Sequence, residues 1–338
     1  MVRKLLVSAA LATGLMMSPA AKAEVSFKPL DKDPEEIVFG IISTESTSNL
    51  KSQWLPLMAD MEEALGKKVK AFFAPDYAGV IEAMRFGKVH VAWYGNKSGM
   101  EAVDRSGGEV FVQTSKKDGS QGYYSHIITN VKNTNINSLD DILNCDKSLN
   151  FGIGDPNSTS GFLVPSYYVF AQNNVDPKKC FKTVRNANHE TNLMATANNQ
   201  VDVAANNSEQ IGRSKLKAPA AAEKVKVIWT SPLIPSDPMV YRKDLSKEMK
   251  SKIKAFFLGY GRLGDVAGAR KVLDGISDGL GLFMESNNTQ LYPIRQLALF
   301  KDKIKLEKNQ DIKAADKAGK IEAIDKKLAE LAILVSHK

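Results

Sequence analysis

Two α/β lobes in tandem, each a helix-covered and mostly parallel sheet, are what this sequence predicts, and three observations predict it. Strand and helix signals alternate from Ile37 onward, the alternation restarts after Asn130, and loops rich in small polar residues recur where strand signals end. At 338 residues the chain has material for two medium cores rather than one. A content of 43% hydrophobic and 25% charged residues places it with globular proteins and away from disordered or membrane-spanning chains.

The first segment stands apart from the lobes. Residues 1–23, "MVRKLLVSAALATGLMMSPAAKA", combine Arg3 and Lys4, an apolar stretch and Ala21-Lys22-Ala23, the pattern of a secretory signal peptide. The exported chain is expected to start near Glu24. The apolar stretch is too short for an anchor, no later segment reaches spanning length, and no Cys follows the cleavage point to carry a lipid. With Arg3, Lys4 and Lys22 set aside, the formal charge of +8 falls to +5. No basic stripe is interleaved with aromatics, so nucleic acid is not an expected partner; the charge reads as solvation and weak attraction for anions.

In the first lobe "IVFGII" (37–42) is a buried strand by its unbroken apolar run. "QWLPLMADMEEALG" follows as a helix, with Trp54, Leu57, Met58, Met61 and Leu65 on one face and Gly66 closing it. "KVKAFFAP", "VHVAWYG" and "EVFVQTS" read as strands, separated by the helices "YAGVIEAMRFG" and "GMEAVDR". The second set runs helix "SLDDILN", strand "LNFGIG", helix "SGFLVPSYYVFAQNN", strand "FKTVRN", helix "ETNLMATANN", then strands "VDVAANN" and "VKVIWTS". Cys145 and Cys180 each precede a strand signal; neighbouring strand starts in an exported protein could bring them into a disulfide. Ligands of open α/β sheets bind beyond the carboxyl ends of the strands, which puts the site in the crevice between the lobes.

The most informative loop is "GDPNSTSGF" (154–162). Ser158, Thr159 and Ser160 stand where a helix begins, so hydroxyls join backbone N–H groups that lack helical partners, at the positive end of a helix dipole. Such a pocket suits a phosphate-like or phosphonate-like oxyanion. An ordinary N-cap by Ser158 or Ser160 explains the same residues, and Pro165 is tolerated within the opening turns. Catalytic motifs are missing. Gly161-Phe162 is not a P-loop ending, no nucleophile elbow occurs, and His189-Glu190 has no second His at zinc-protease spacing, so neither a metal, a cofactor nor enzyme activity is expected. Glu209 in "ANNSE", Asp237 in "PSDP", Tyr77 in "PDYAG" and Tyr123 in "GYYS" stand in loops, where acids are commonly solvated and aromatics commonly lie on a surface.

Taken together, "FGIISTES", "FFAPDYAGVIEAMRFGKV", "AWYGN", "MEAVDR", "GDPNSTSGFLVPSYYVFAQNN", "NHETNLMATANNQVDVAANNSE", "SPLIPSDPMVYRKDLS" and "PIRQLALF" resemble the phosphonate-binding periplasmic proteins of ABC importers, in order and over Ile37 to Phe300. The resemblance implies a two-lobed periplasmic-binding-protein fold of class II. It also implies capture of an alkylphosphonate such as 2-aminoethylphosphonate in the periplasm and delivery to a membrane permease. The expected division is a first lobe over 24–127, a second over 128–236, a return to the first over 237–300 and a helical extension over 301–338. Carried onto matching positions, Ser158, Thr159 and Ser160 would hold the phosphonate oxygens, helped by Tyr77, Tyr123 and His189. Glu209 and Asp237 would hold the ammonium group, with both carboxylates across the cleft from the anion. The Tyr123-Tyr124 pair departs from the Tyr-Trp expected there.

Two alternatives stay open: a receptor for phosphate, phosphite or methylphosphonate, and a secreted phosphonate or phosphate-ester hydrolase. Glu209 and Asp237 argue for an aminated ligand, and the missing nucleophile–base and metal sets argue against hydrolysis. In "KIEAIDKKLAELAILV" the residues Ile321, Ile324, Leu328, Leu331 and Val335 make a heptad-like seam, from which a weak homodimer is expected unless the helix packs on its own lobe.

Overall fold

The structure, a computed structural model, describes residues 27–277 and 279–336; the expected signal peptide lies outside them. The first part runs β1 (Ile37–Ile41), α1 (Thr47–Leu65), β2 (Val69–Phe73), α2 (Tyr77–Arg85), β3 (Val91–Trp93), α3 (Asn96–Arg105) and β4 (Gly108–Gln113). After β5 (Gly122–Tyr123) come β6 (Ser125–Asn130), β7 (Asn150–Ile153), α4 (Pro177–Cys180), β8 (Thr183–Asn186), α5 (His189–Ala197), β9 (Val203–Asn207), α6 (Ser208–Lys217), α7 (Pro219–Ala222) and β10 (Val225–Thr230). The chain then passes through β11 (Ile234–Pro235) into β12 (Pro238–Arg242), α8 (Lys247–Gly259), α9 (Val266–Ile276), β13 (Met284–Glu285), α10 (Tyr292–Lys308) and α11 (Ala314–Ser336).

Two sheets result, ordered β13-β4-β12-β3-β1-β2 and β10-β6-β9-β7-β8, with β5 and β11 paired as a separate ribbon. The expectation of mostly parallel sheets is corrected: β1 pairs parallel with β2 and β3, and β7 with β8 and β9, but the other pairings are antiparallel. The reason is directional. The parallel strands finish at the cleft, so a chain crossing from the other lobe enters its new sheet at that end and must run away from it. β6 and β12 are the two strands that enter in this way.

Because β6 begins at Ser125, the expected boundary at 127/128 cuts through a strand; the first crossing falls at Tyr123–Ser125 and the return at 230–238. The helix expected over 138–144 is only a turn. Asp141 accepts from Asn137 N–H at 2.8 Å and Ser138 N–H at 2.9 Å, but Cys145 takes a left-handed φ of 57° and ends it. Cys145 and Cys180 are bonded at 2.10 Å, next to the starts of the paired strands β7 and β8.

Each lobe has its own apolar core. In the first, Phe39, Trp54, Phe111 and Phe257 are fully buried, and Trp54 stacks on Trp93 at 5.0 Å. In the second, Phe151 lies between Phe170 and Phe181. At the carboxyl end α11 folds back on α10, with Leu328 buried and Lys303 bonded to Asp325 at 2.6 Å. The seam of Ile321, Ile324, Leu328, Leu331 and Val335 is the least exposed face of α11, so pairing of two chains through it competes with this intrachain contact.

Candidate functional site

Most helices that follow a parallel strand are capped at the cleft by a short polar residue; α3, after β3, is the exception, starting at Gly95 without a side-chain cap. Ser46 caps α1, Asp76 caps α2, Asn188 caps α5 and Asn207 caps α6, each side chain accepting a first-turn N–H. Strand run, cap and helix are thus written consecutively in the sequence, and the positive ends of several helix dipoles meet in one place.

The loop after β7 shows the arrangement most sharply. Gly154 N–H donates to Gly161 O at 2.7 Å, and a Cβ on Gly154 would stand 2.6 Å from the Gly161 backbone, so this approach needs glycine. Ser158 caps the turn by accepting from Gly161 N–H at 3.0 Å, so the plain capping role is real and coexists with its place in the cavity. The helix beyond is wound as π turns over Thr159–Leu163 and Ser166–Ala171. Pro165, which has no N–H to give, lies between them.

All eight candidate residues line one cavity. Tyr77 opens α2, His189 opens α5, Tyr123 lies on the β5 ribbon, Glu209 on α6, and Asp237 precedes β12. Ser158, Thr159, Ser160, Tyr77, Tyr123 and His189 are buried; Glu209 and Asp237 are half-buried. His189 Nε2 lies 3.3 Å from Ser158 Oγ and 3.4 Å from Ser160 Oγ. Burial, with Arg213 adding to it, pushes the His189 imidazole down to about 3, so the ring is neutral. Burial, reinforced by nearby carboxylates, drives the Tyr77 and Tyr123 hydroxyls far above the usual range, so both keep their protons. The result is a set of neutral donors.

The acids behave differently. Burial first, then the charge of Glu209, pushes Asp237 up to about 8, against hydrogen bonds from Tyr123 and Trp93 that lower it. Asp237 Oδ1 is buried without a hydrogen-bond partner among the described residues. One expectation needs correction here: the carboxylates do not both face the serine loop from across the cleft. Glu209 rises from the same sheet as Ser158–Ser160, and only Asp237 comes from the opposite lobe.

Sequence reasoning missed several lining residues: Thr44, Trp93, Asn207 and Arg213 among them. Trp93, the last residue of β3, joins the first core to Asp237. Asn207 carries no signal beyond a helix cap. Arg213 forms a buried ion pair with Glu45 from the loop after β1. Contacts of this kind close the cleft: Lys97 N–H donates to Thr159 Oγ1 at 2.8 Å, Tyr77 N–H to Asp155 at 3.2 Å, and Ser46 N–H to Glu190 at 2.6 Å.

Comparison with known proteins agrees with this architecture. Residues 39–291 match the family described as the periplasmic substrate-binding protein of phosphonate ABC transporters. The chain is 52% identical over 316 residues to the phosphonates-binding periplasmic protein of Escherichia coli K12, covering 94% of this chain and 89% of that one. A crystal structure of a binding protein component of an ABC phosphonate transporter from Pseudomonas aeruginosa superposes with a TM-score of 0.85 at 52% identity, covering 90% of this chain and 99% of the other. The phosphate-import protein PhnD of Mycolicibacterium smegmatis is 28% identical over 233 residues, 66% of this chain and 71% of its own. The fold is therefore the two-lobed class II one, and the chain belongs to the periplasmic substrate-binding proteins of phosphonate ABC transporters, which carry ligands rather than transform them.

Proposed function

We propose that the cavity takes a phosphonate bearing an amino group, with 2-aminoethylphosphonate as the ligand, and hands it to the membrane permease of an ABC importer. In this reading Ser158, Thr159, Ser160, Tyr77, Tyr123 and His189 donate to the phosphonate oxygens. Glu209 and Asp237 receive the ammonium group. The observation that carries it is the buried, unpartnered Oδ1 of Asp237 beside Glu209, in a cavity otherwise rich in hydroxyl and imidazole donors. A cation relieves the cost that burial and the charge of Glu209 add to ionising Asp237, and a bare oxyanion offers nothing there.

Calorimetric titration with 2-aminoethylphosphonate, methylphosphonate, phosphate and phosphite tests the reading. It expects the aminated ligand to bind tightest. Phosphate or phosphite binding tightest would favour the second reading, to which the relative named a phosphate-import protein lends its support. The lobes are proposed to turn about the β5–β11 ribbon, and export through the 1–23 segment is proposed with them. Self-association through α11 remains a proposal tested by sedimentation of the full chain beside one ending at Gly319.

A further inference from the structure

We infer that Asn207 is a positioning residue of the binding site, holding His189 in the tautomer that carries its proton on Nδ1 and turning the Ser160 hydroxyl outward. The inference rests on the phosphonate reading only for what the freed donors serve; the tautomer follows from geometry.

Asn207 ends β9 and caps α6. Its Oδ1 accepts from Gln210 N–H at 2.7 Å, so the oxygen of the amide is committed to the helix and the amide cannot be turned round without losing the cap. The Nδ2 group, which only donates, is left facing Ser160 Oγ at 3.0 Å and His189 Nε2 at 3.2 Å. An imbalance follows at once. A ring nitrogen that faces an amide NH₂ at that distance must present its lone pair. The ring is neutral in its buried site, so its single N–H sits on Nδ1. His189 Nδ1 is buried and has no hydrogen-bond partner among the described residues, and the ring lines the cavity. A buried donor without an acceptor is costly, and an oxyanion oxygen removes that cost.

The neighbouring residue holds the backbone from which this ring projects. Asn206 Nδ2 donates to His189 O at 2.9 Å and its Oδ1 accepts from Asn207 N–H at 2.9 Å, tying the end of β9 to the first residue of α5. Ser160 Oγ, already accepting from Asn207, is left to donate outward, because the single lone pair of His189 Nε2, 3.4 Å from it, is taken by the nearer Asn207 amide at 3.2 Å. Asn207 therefore orients two donors from within the lining of the cavity.

A cap alone does not require asparagine, since Asp and Ser cap equally well. That separates the two roles. Asn207→Ser keeps the cap and removes Nδ2; Asn207→Asp keeps the cap and puts a carboxylate oxygen where the amide donor was. The test combines nitrogen-15 NMR of the His189 imidazole in the full exported chain with titrations of 2-aminoethylphosphonate and methylphosphonate, and thermal melts of each variant. The wild-type spectrum is expected to show the Nδ1–H tautomer. Asn207→Ser is expected to weaken both ligands by roughly tenfold with its melt retained, the scale of one hydrogen bond. Asn207→Asp is expected to weaken them further and to move the ring to the Nε2–H pattern. A wild-type Nε2–H tautomer, or variants that bind as the parent does, overturns the inference, and the wild-type spectrum decides even if a variant fails to fold. Should wild type show Nδ1–H yet bind neither phosphonate, the tautomer stands and the ligand reading fails.

Discussion

Glu45 of the first lobe and Arg213 of the second form a buried ion pair across the cleft, with Gln53 donating to Glu45 at 2.9 Å and Arg213 donating to Gln210 at 3.0 Å. Because the pair spans the two lobes, parting them would break it, so it biases the closed state whatever ligand lies between them. Removing one partner leaves a charge that the open form can hydrate and the closed form cannot. Glu45→Gln is predicted to weaken 2-aminoethylphosphonate and methylphosphonate by the same factor, roughly ten- to hundredfold. Scattering at saturating ligand checks the cause, because the variant then regains the compact form. A factor that differs between the two ligands would assign Glu45 a direct part in recognition.

The acids make the opposite kind of prediction. Asp237→Ala or Glu209→Ala is expected to cost the aminated ligand roughly ten- to hundredfold, the scale of a charge-assisted hydrogen bond, and methylphosphonate little. Titration of both ligands against both variants reads this directly. Equal losses would detach these acids from the ammonium group.

Asp237 also sets a pH dependence. Its carboxyl, ordinarily near 3.8, is pushed up to about 8 by burial and by Glu209, so near neutrality it holds a proton. An ammonium group docking there expels that proton; binding of 2-aminoethylphosphonate at pH 7 should release more protons than binding of methylphosphonate, measured by calorimetry in buffers of different ionisation enthalpy. For stability the sign is fixed: a raised acid adds stability that is full below 3.8 and lost as pH rises through about 8. His189, lowered to about 3, works the other way and loses its contribution as pH falls toward that value. The difference between wild type and Asp237→Asn isolates the first effect, and a flat difference from pH 4 to 8 would contradict it.

The disulfide should matter for folding and not for ligands. Cys145 and Cys180 lie at the starts of β7 and β8, the end of the sheet away from the cleft. Replacing both with Ser is predicted to cost about 2–4 kcal/mol of stability by denaturant titration while leaving ligand affinity unchanged. A large loss of affinity in the folded variant would mean that the bridge shapes the cavity.

Some of this was legible in the chain and some was not, for physical reasons. The unbroken apolar run of Ile37–Ile41 announces a buried strand, but β6 hides because Ser125, Thr129 and Asn130 interrupt it. Those polar residues are buried and satisfied, Thr129 by Asp202 O at 2.7 Å and Asn130 by Ala197 O at 2.9 Å, which periodicity cannot register. β12 hides likewise behind Pro238 and a buried Arg242 paired with Asp244. The "SLDDILN" stretch carries a good cap at Asp141 and no room to continue beyond it. In the site, Ser158–Ser160 were conspicuous as clustered hydroxyls, whereas Tyr77, Tyr123, His189, Glu209 and Asp237 gained meaning only from the ordered blocks around them. Trp93, Asn207 and Arg213 look like an ordinary strand aromatic, cap and helix cation, and only the closed cleft shows what they touch.

The most direct measurement is a crystal structure of the protein with 2-aminoethylphosphonate bound. The account predicts phosphonate oxygens within hydrogen-bond distance of the Ser158, Thr159 and Ser160 hydroxyls or N–H groups and of His189, with the ammonium nitrogen between the carboxylates of Glu209 and Asp237. An amine turned away from both carboxylates, or a phosphonate held elsewhere than at Ser158–Ser160, would contradict it.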